Sequence, residues 1–273
     1  MKSLKEQLES NGYVVIPSVL TSEEVARARK QCVEHLRNNG FYFMRGKTEV
    51  HAAAKMPDLS WLFCHPAIVE SVKAGLGDST IAFTGHCDAF INSDVAGWHK
   101  DDGRGKYLYG NYFREESCRV YKVGVYLQDH SKEGGLSVRH GSHVIPSLTE
   151  GDVRYCSTKP GDIVVFDIRI THRGRFSRGL EGLIYDGVEM VLPKTKAHKL
   201  IHHSKLVAHR IAHKDDRVSL FFTFGAKNEF TRYFAQKNME RQLSELNGKV
   251  ADFPIRLCAN FEKQKVAVYS HDF

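Results

Sequence analysis

"GDIVVFDIRITHRG", residues 161–174, is an Ile-, Val- and Phe-rich run opened by Gly161-Asp162 and closed by Gly174, with His172 near its far end. Periodicity alone does not separate a buried strand from a buried helix, but β-branched and aromatic residues held between turn formers decide for a strand. The same texture recurs in "STIAFTGHCDAFINS" (79–93), "VYKVGVYLQ" (120–128), "GGLSVRH" (134–140) and "DRVSLFFTFG" (216–225). Short strands punctuated by Gly, Asp, Ser and Pro are the pattern of a sandwich or barrel. Helices flank them. "LKEQLESNG" (4–12) is closed by Gly12, and "YVVIPSVL" (13–20) is a β-branched run broken at Pro17. "TSEEVARARKQCVEHLRNNG" (21–40) has Thr21 and Glu24 in capping-box spacing and Val25, Ala28, Cys32 and Leu36 on one face. A weaker helix is expected over 67–74, and "FTRYFAQKNMERQLSEL" (230–246) reads as helical. The expected fold is mainly β with flanking helices: a double-stranded β-helix, or jelly roll, of cupin-like form. One domain over residues 1–273 is expected, with its β core at about 79–225 and a basic insertion at about 176–216.

Composition narrows the function classes. With 42% hydrophobic and 26% charged residues in 273, the chain can bury a sizeable core. No apolar run is long enough to span a bilayer and the first ten residues are charged and amphipathic, so no membrane association and a cytoplasmic location are expected. Cysteines 32, 64, 87, 118, 156 and 258 include no Cys-x-x-Cys pair, which disfavours a zinc knuckle or a disulfide framework. The net charge of +7 favours anionic ligands. Basic residues concentrate in 194–217 without a helix-turn-helix, RRM or zinc-finger pattern, so nucleic acid is not expected as a partner.

"GWHKDDGR" (97–104) places His99, Asp101 and Asp102 within four positions. A metal site, an acid–base pair and a solvated turn all fit that stretch alone. On a strand, His99 and Asp101 share a face while Asp102 points away unless a bulge shifts the register. His172, 73 residues after His99, is by itself no more than a histidine at a strand end. Together, two imidazoles and a carboxylate make the facial triad that holds Fe(II) with open coordination sites. Zinc fits less well, because the helical histidine pair that usually accompanies it is missing. Arg217 and Ser219 lie two apart on one strand, where a guanidinium and a hydroxyl together grip a carboxylate; the plainer reading is an edge-strand arginine in solvent.

Read in order, "NGYVVIPSVLTSEEV", "GWHKDD", "VGVYLQDHSKEGGLSVRHGSH", "GDIVVFDIRITHRG" and "RVS" resemble the phytanoyl-CoA dioxygenase-like family, from about residue 11 to about residue 225. The resemblance implies an Fe(II)- and 2-oxoglutarate-dependent dioxygenase that consumes O2, with His99, Asp101 and His172 as iron ligands and Arg217 with Ser219 holding 2-oxoglutarate. Hydroxylation of a C–H bond, with release of succinate and CO2, is the implied reaction; desaturation, epimerisation and cyclisation use the same site, and the Asp101 carboxylate disfavours halogenation. Two features depart from the family. Arg217 lies 45 residues after His172 rather than about ten, leaving Arg173, Arg175 and Arg178 as nearer anchors, and His140 stands where similar proteins tend to carry proline.

Asn92, Tyr121, Lys122 and Tyr126 are further candidates to contact cosubstrate or substrate, Asn92 and Lys122 foremost for the cosubstrate and Tyr126 more a core residue, although only one face of each strand points inward. Trp98 is expected to pack beside the first ligand, and Lys100, Asp102 and Arg104 to form the pocket rim. "KTKAHKLIHHSKLVAHRIAHKDD" (194–216) reads either as a solvated amphipathic helix or as a lid whose cations meet the substrate. The expected substrate is a small anionic molecule. The rival from another class is a non-catalytic jelly roll binding an acidic glycan or nucleic acid, which has no need of two His, one Asp and Arg-x-Ser together.

Overall fold

Eleven strands form two sheets in a computed structural model that describes residues 2–94, 97–101, 115–132, 134–175, 179–245 and 251–269. In chain order the strands are β1 (Tyr13–Ile16), β2 (Phe41–Phe43), β3 (Gly46–Val50), β4 (Ile81–Ile91), β5 (Val120–Tyr126), β6 (Ser137–Arg139), β7 (Val153–Tyr155), β8 (Ile163–Asp167), β9 (His172–Arg173), β10 (Val218–Ala226) and β11 (Val266–Val268). The larger sheet runs β1-β8-β5-β10-β4-β3-β2, antiparallel throughout, with β11 added in parallel to β4; the smaller is β7-β6-β9. This is the jelly roll expected from the strand pattern.

The strand period of two sorts side chains between two cores. On β10, Leu220, Phe222 and Phe224 join Val123, Val125, Ile163 and Val165 in the cluster packed beneath the helices. On the other face, Phe221 turns with Tyr126, Val164 and Phe166 towards Leu136 and Val138 of the smaller sheet. Phe221 is paired with Gly124, where a Cβ would stand 3.0 Å from the Phe221 ring, so glycine lets that ring lie across β5.

The helices are α1 (Leu4–Asn11), α2 (Ser22–Asn38), α3 (Ala52–Lys55), α4 (Ser60–Phe63), α5 (Pro66–Leu76), α6 (Gly179–Val191), α7 (Lys194–Ile211), α8 (Glu229–Glu245) and α9 (Ile255–Lys263). Thr21 and Glu24 form the capping box expected for α2, and Val25, Ala28, Cys32 and Leu36 are its buried residues. Gly12 ends α1 in the left-handed region at φ 81°. All six cysteines are free thiols, five of them buried. No helix among the described residues is long and apolar enough to cross a membrane.

The 194–216 stretch forms the expected helix as α7, and a second helix that was not anticipated, α6, precedes it, the two joined at Leu192-Pro193. Three glycines, Gly179, Gly182 and Gly187, weaken the helical pattern of α6 in sequence. Tertiary contacts outweigh that: Arg45 donates from Nε and Nη2 to the two Glu189 carboxylate oxygens, both at 2.7 Å, and from Nη2 to Asp186 at 2.6 Å. α7 buries Ala197, Ile201, His202 and Lys205. Burial, with His203 and Lys47 nearby, pulls His202 down to about 4. The unfolded chain therefore takes up that proton at higher pH than the folded one, and the apoprotein loses stability as pH falls from about 6.5 to 4. Urea midpoints across this range should drop in the native chain and drop less in His202→Gln; equal slopes would show that His202 does not carry the effect.

Candidate active site

Backbone pairing sets the spacing of the three candidate ligands. The His99 N–H donates to the His172 carbonyl at 3.0 Å, and the His172 N–H returns the bond at 2.8 Å. The Asp101 N–H donates to Ile168 O at 2.9 Å. The two imidazole centroids come to 4.3 Å. His99 Nε2 lies 3.9 Å from Asp101 Oδ1, and His172 Nε2 lies 3.4 Å from Asp101 Oδ2. One donor atom from each residue lies within 4.8 Å of the other two.

The imidazoles are also oriented for a metal. Nδ1 of His99 bonds Gly97 O at 3.2 Å and Nδ1 of His172 bonds Ile170 O at 3.0 Å. A carbonyl only accepts, so Nδ1 carries the proton and each Nε2 offers its lone pair towards Asp101. Burial pulls His172 down to about 3, keeping it neutral at physiological pH. Burial raises the Asp101 carboxyl, but Lys122, His172 and His99 outweigh this and hold it well below the usual range. Lys122 Nζ stands 2.6 Å from Asp101 Oδ2, a cation already resting on the carboxylate. Two imidazoles held by their Nδ1 bonds and one ionised carboxylate fit a divalent iron centre.

The triad borders a cavity of about 380 Å³ whose walls include Phe43, Met44, Phe90, Leu136 and Phe221. Its polar side was missed in sequence. His86 and Asp88 on β4 pair at 3.2 Å, His86 bonds Thr223 at 3.0 Å, and Gln242 of α8 donates to Asp88 at 3.2 Å. Arg241 of α8 lies 3.8 Å from Asp88. Burial raises the Asp88 carboxyl, yet His86, Arg241 and Lys122 bring it down to about 2. The alternation of His86 and Asp88 in "GHCDAF" carried the same one-face signal as His99 and Asp101; Arg241, within a helix of mixed polarity, carried none.

Gly174 and Phe221 line both this cavity and a recess containing Ser219, Tyr126, Arg175 and Arg217. Arg217 and Arg175 also line a neighbouring cavity of about 730 Å³, with Lys132, Arg173 and Lys214. Arg217 donates from Nη2 to Asp94 at 3.0 Å and to Ser93 O at 3.2 Å; among the described residues its buried Nε has no partner. Burial and the neighbouring Arg175 bring Arg217 down to about 10 despite Asp94. Arg217 and Arg175 therefore face one recess.

Other expectations change. Asn92 is on neither cavity wall: its Nδ2 donates to Asp216 at 2.8 Å and its Oδ1 accepts from the Arg217 N–H at 2.9 Å, so it shapes the backbone entering β10. Lys122 is in the triad cavity, whereas its neighbour Tyr121 points into the opposite core. Lys100 is buried rather than at the rim, bonding Ser142 O at 2.6 Å and Arg169 O at 2.7 Å. Trp98 is held between Arg139 and Arg173, at 4.7 and 4.5 Å. His140 packs edge-on against Tyr13. Of the basic residues in the 194–216 stretch, His209 and Lys214 reach the larger cavity. Asp102, Arg104 and Arg178 lie outside the described residues.

A family model described as phytanoyl-CoA dioxygenase (PhyH) matches residues 8–179. Comparison with curated proteins gave no match. Among solved structures, the chain is similar to the non-haem alpha ketoglutarate dependent epimerase SnoN from nogalamycin biosynthesis, at 15% identity and TM-score 0.61 over 98% of this chain and 95% of that one. It is similar to the carbocyclase SnoK from the same biosynthesis at 16% identity and TM-score 0.58, over 92% of each chain. EctD from S. alaskensis, solved with 2-oxoglutarate and 5-hydroxyectoine, matches at 16% identity and TM-score 0.55 over 81% of this chain and 74% of that one. These likenesses are of fold.

Proposed function

Because the chain belongs to the phytanoyl-CoA dioxygenase family of iron- and 2-oxoglutarate-dependent oxygenases, we propose that it hydroxylates a C–H bond of a small anionic metabolite, with release of succinate and CO2. The observation carrying this reading is the convergence of His99, Asp101 and His172 on one wall of the 380 Å³ cavity. Iron held by these three residues, with 2-oxoglutarate and O2, supplies oxidising chemistry that no side chain possesses.

The chain's residues bind, orient and exclude. Asp101 contributes the negative charge that holds the metal, and the Nδ1 bonds of the two histidines fix their rings. Arg217 and Ser219 take the distal carboxylate of 2-oxoglutarate; an anion between Arg217 and Arg175 relieves the repulsion of two guanidiniums facing one recess. Lys122, which pairs with Asp101 at 2.6 Å, and Arg241 would orient an anionic substrate once Asp101 served as a metal ligand. Phe43, Met44, Phe90, Leu136 and Phe221 keep water from the reacting end.

The anchor is tested by succinate release at varied 2-oxoglutarate. Losing a charge-assisted pair worth roughly 1.5–3 kcal/mol should raise the 2-oxoglutarate requirement of Arg217→Ala about ten- to a hundredfold. If Arg175→Ala shows that rise and Arg217→Ala does not, Arg175 is the anchor. The substrate class is tested by pairing acids with their neutral amides: acids should stimulate succinate release in the native chain and less in Arg241→Ala. Equal stimulation by the amides would overturn the anionic assignment.

A further inference from the structure

The outward face of α6 is apolar along its length. Leu180, Leu183, Ile184, Met190 and Val191 are between 53% and 87% exposed, while Gly182 and Tyr185 on the opposite side are buried. Spacings of three and four residues place these five side chains, with Gly187, on a single stripe. An ordinary surface helix puts its charges outward; α6 does the reverse. Exposed apolar patches of this extent mark association surfaces.

We propose that this face seats a second copy of the chain, with the two α6 helices packed antiparallel across a twofold axis at Gly187. Such an axis demands a self-complementary surface. The residues three and four positions before Gly187 are Ile184 and Leu183, and those three and four positions after it are Met190 and Val191. Rotation about Gly187 therefore brings large apolar residues onto large apolar residues. At the crossing point, glycine permits close approach, and a Cβ built there meets nothing within 4 Å in the isolated chain. The five exposed side chains offer on the order of 600 Å² per copy, so a pair buries about 1,200 Å², where standard interfaces begin.

Charge selects this occupant over a lipid surface. Residues 179–192 contain Glu181, Asp186 and Glu189 and no Lys or Arg, and these acids already pair with Arg175 and Arg45 of the same chain, so the stripe offers no cation to an anionic membrane. In the antiparallel pair, the Glu181 end of one helix approaches the end of the other that continues into Lys194 and Lys196.

Light scattering after size exclusion, with the full chain at tens of micromolar, should give twice the 31.0 kDa chain mass. The double substitution L183E/M190E should return it to 31.0 kDa with an unchanged circular dichroism spectrum, since both positions are exposed, and with a thermal midpoint lowered only by the lost association. Gly187→Cys should form an interchain disulfide on mild oxidation while Ser204→Cys on α7 does not. A native mass of 31.0 kDa, a dimer insensitive to L183E/M190E, or co-flotation of a monomer with phosphatidylcholine–phosphatidylserine vesicles would each overturn the proposal.

Discussion

Asp101→Ala should reduce iron-dependent conversion of 2-oxoglutarate to succinate by more than about a hundredfold, beyond the loss typical of residues that merely support a metal ligand. The carboxylate is the one anionic donor of the triad, and it also neutralises Lys122 at 2.6 Å. Without it, a divalent ion would enter beside an unpaired ammonium with only the two imidazoles for support. Coulomb repulsion then adds to the lost ligand bond. His99→Ala and His172→Ala should lose turnover comparably, but each leaves the carboxylate and hence some metal affinity. Anaerobic titration with Fe(II) should therefore rank Asp101→Ala weakest of the three. The fold should survive, because the backbone bonds linking His99 to His172 and Asp101 to Ile168 use no side-chain atom. A well-folded Asp101→Ala protein with turnover within tenfold of native would remove the triad from the reaction.

Asp94→Ala should cost about 3–5 kcal/mol of stability, the usual penalty for stranding a buried charge. The Asp94 side chain is 1% exposed and joins two cations from distant parts of the chain. Lys205 of α7 donates to its Oδ2 at 2.7 Å and Arg217 to its Oδ1 at 3.0 Å. Burial already draws Lys205 down to about 8 even with Asp94 beside it, so the alanine variant leaves Lys205 and Arg217 desolvated without their counter-ion. Two readouts should move together: the urea midpoint falls, and the 2-oxoglutarate requirement rises as Arg217 loses its support. Adding Lys205→Met should recover part of the stability, since one stranded charge disappears, while the 2-oxoglutarate requirement stays high. An Asp94→Ala midpoint within about 1 kcal/mol of native would show that water reaches the cluster and screens it.

The strands were readable because their apolar runs are short, β-branched and separated by turn formers, and α2 because both halves of its capping box lie in sequence. β2, β3, β7 and β11 were not anticipated: β7 and β11 are three residues long, while "FYFMRGKTEV" mixes charge with aromatic residues, and Lys47 and Glu49 are buried only because tertiary partners satisfy them. His99, Asp101 and His172 could be proposed because ligand chemistry restricts residue types and strand periodicity restricts faces. Asn92 misled for the opposite reason: an asparagine at a strand end suits a pocket and a backbone turn equally, and its φ of 55° belongs to the turn. Arg241 and Asn238 reach the cavity through the placement of α8, which no local pattern encodes.

The mutual backbone bonds of His99 and His172 bear on how the chain folds. Their contact spans 73 residues, so closing it carries a loop entropy that local contacts cannot offset. A complete set of metal donors forms when β9 has zipped against the His99 segment, which places site assembly late in folding. In a refolding experiment, the appearance of metal affinity would time the closure of the smaller sheet, and a metal present throughout would act on unfolding rather than on the early steps of collapse.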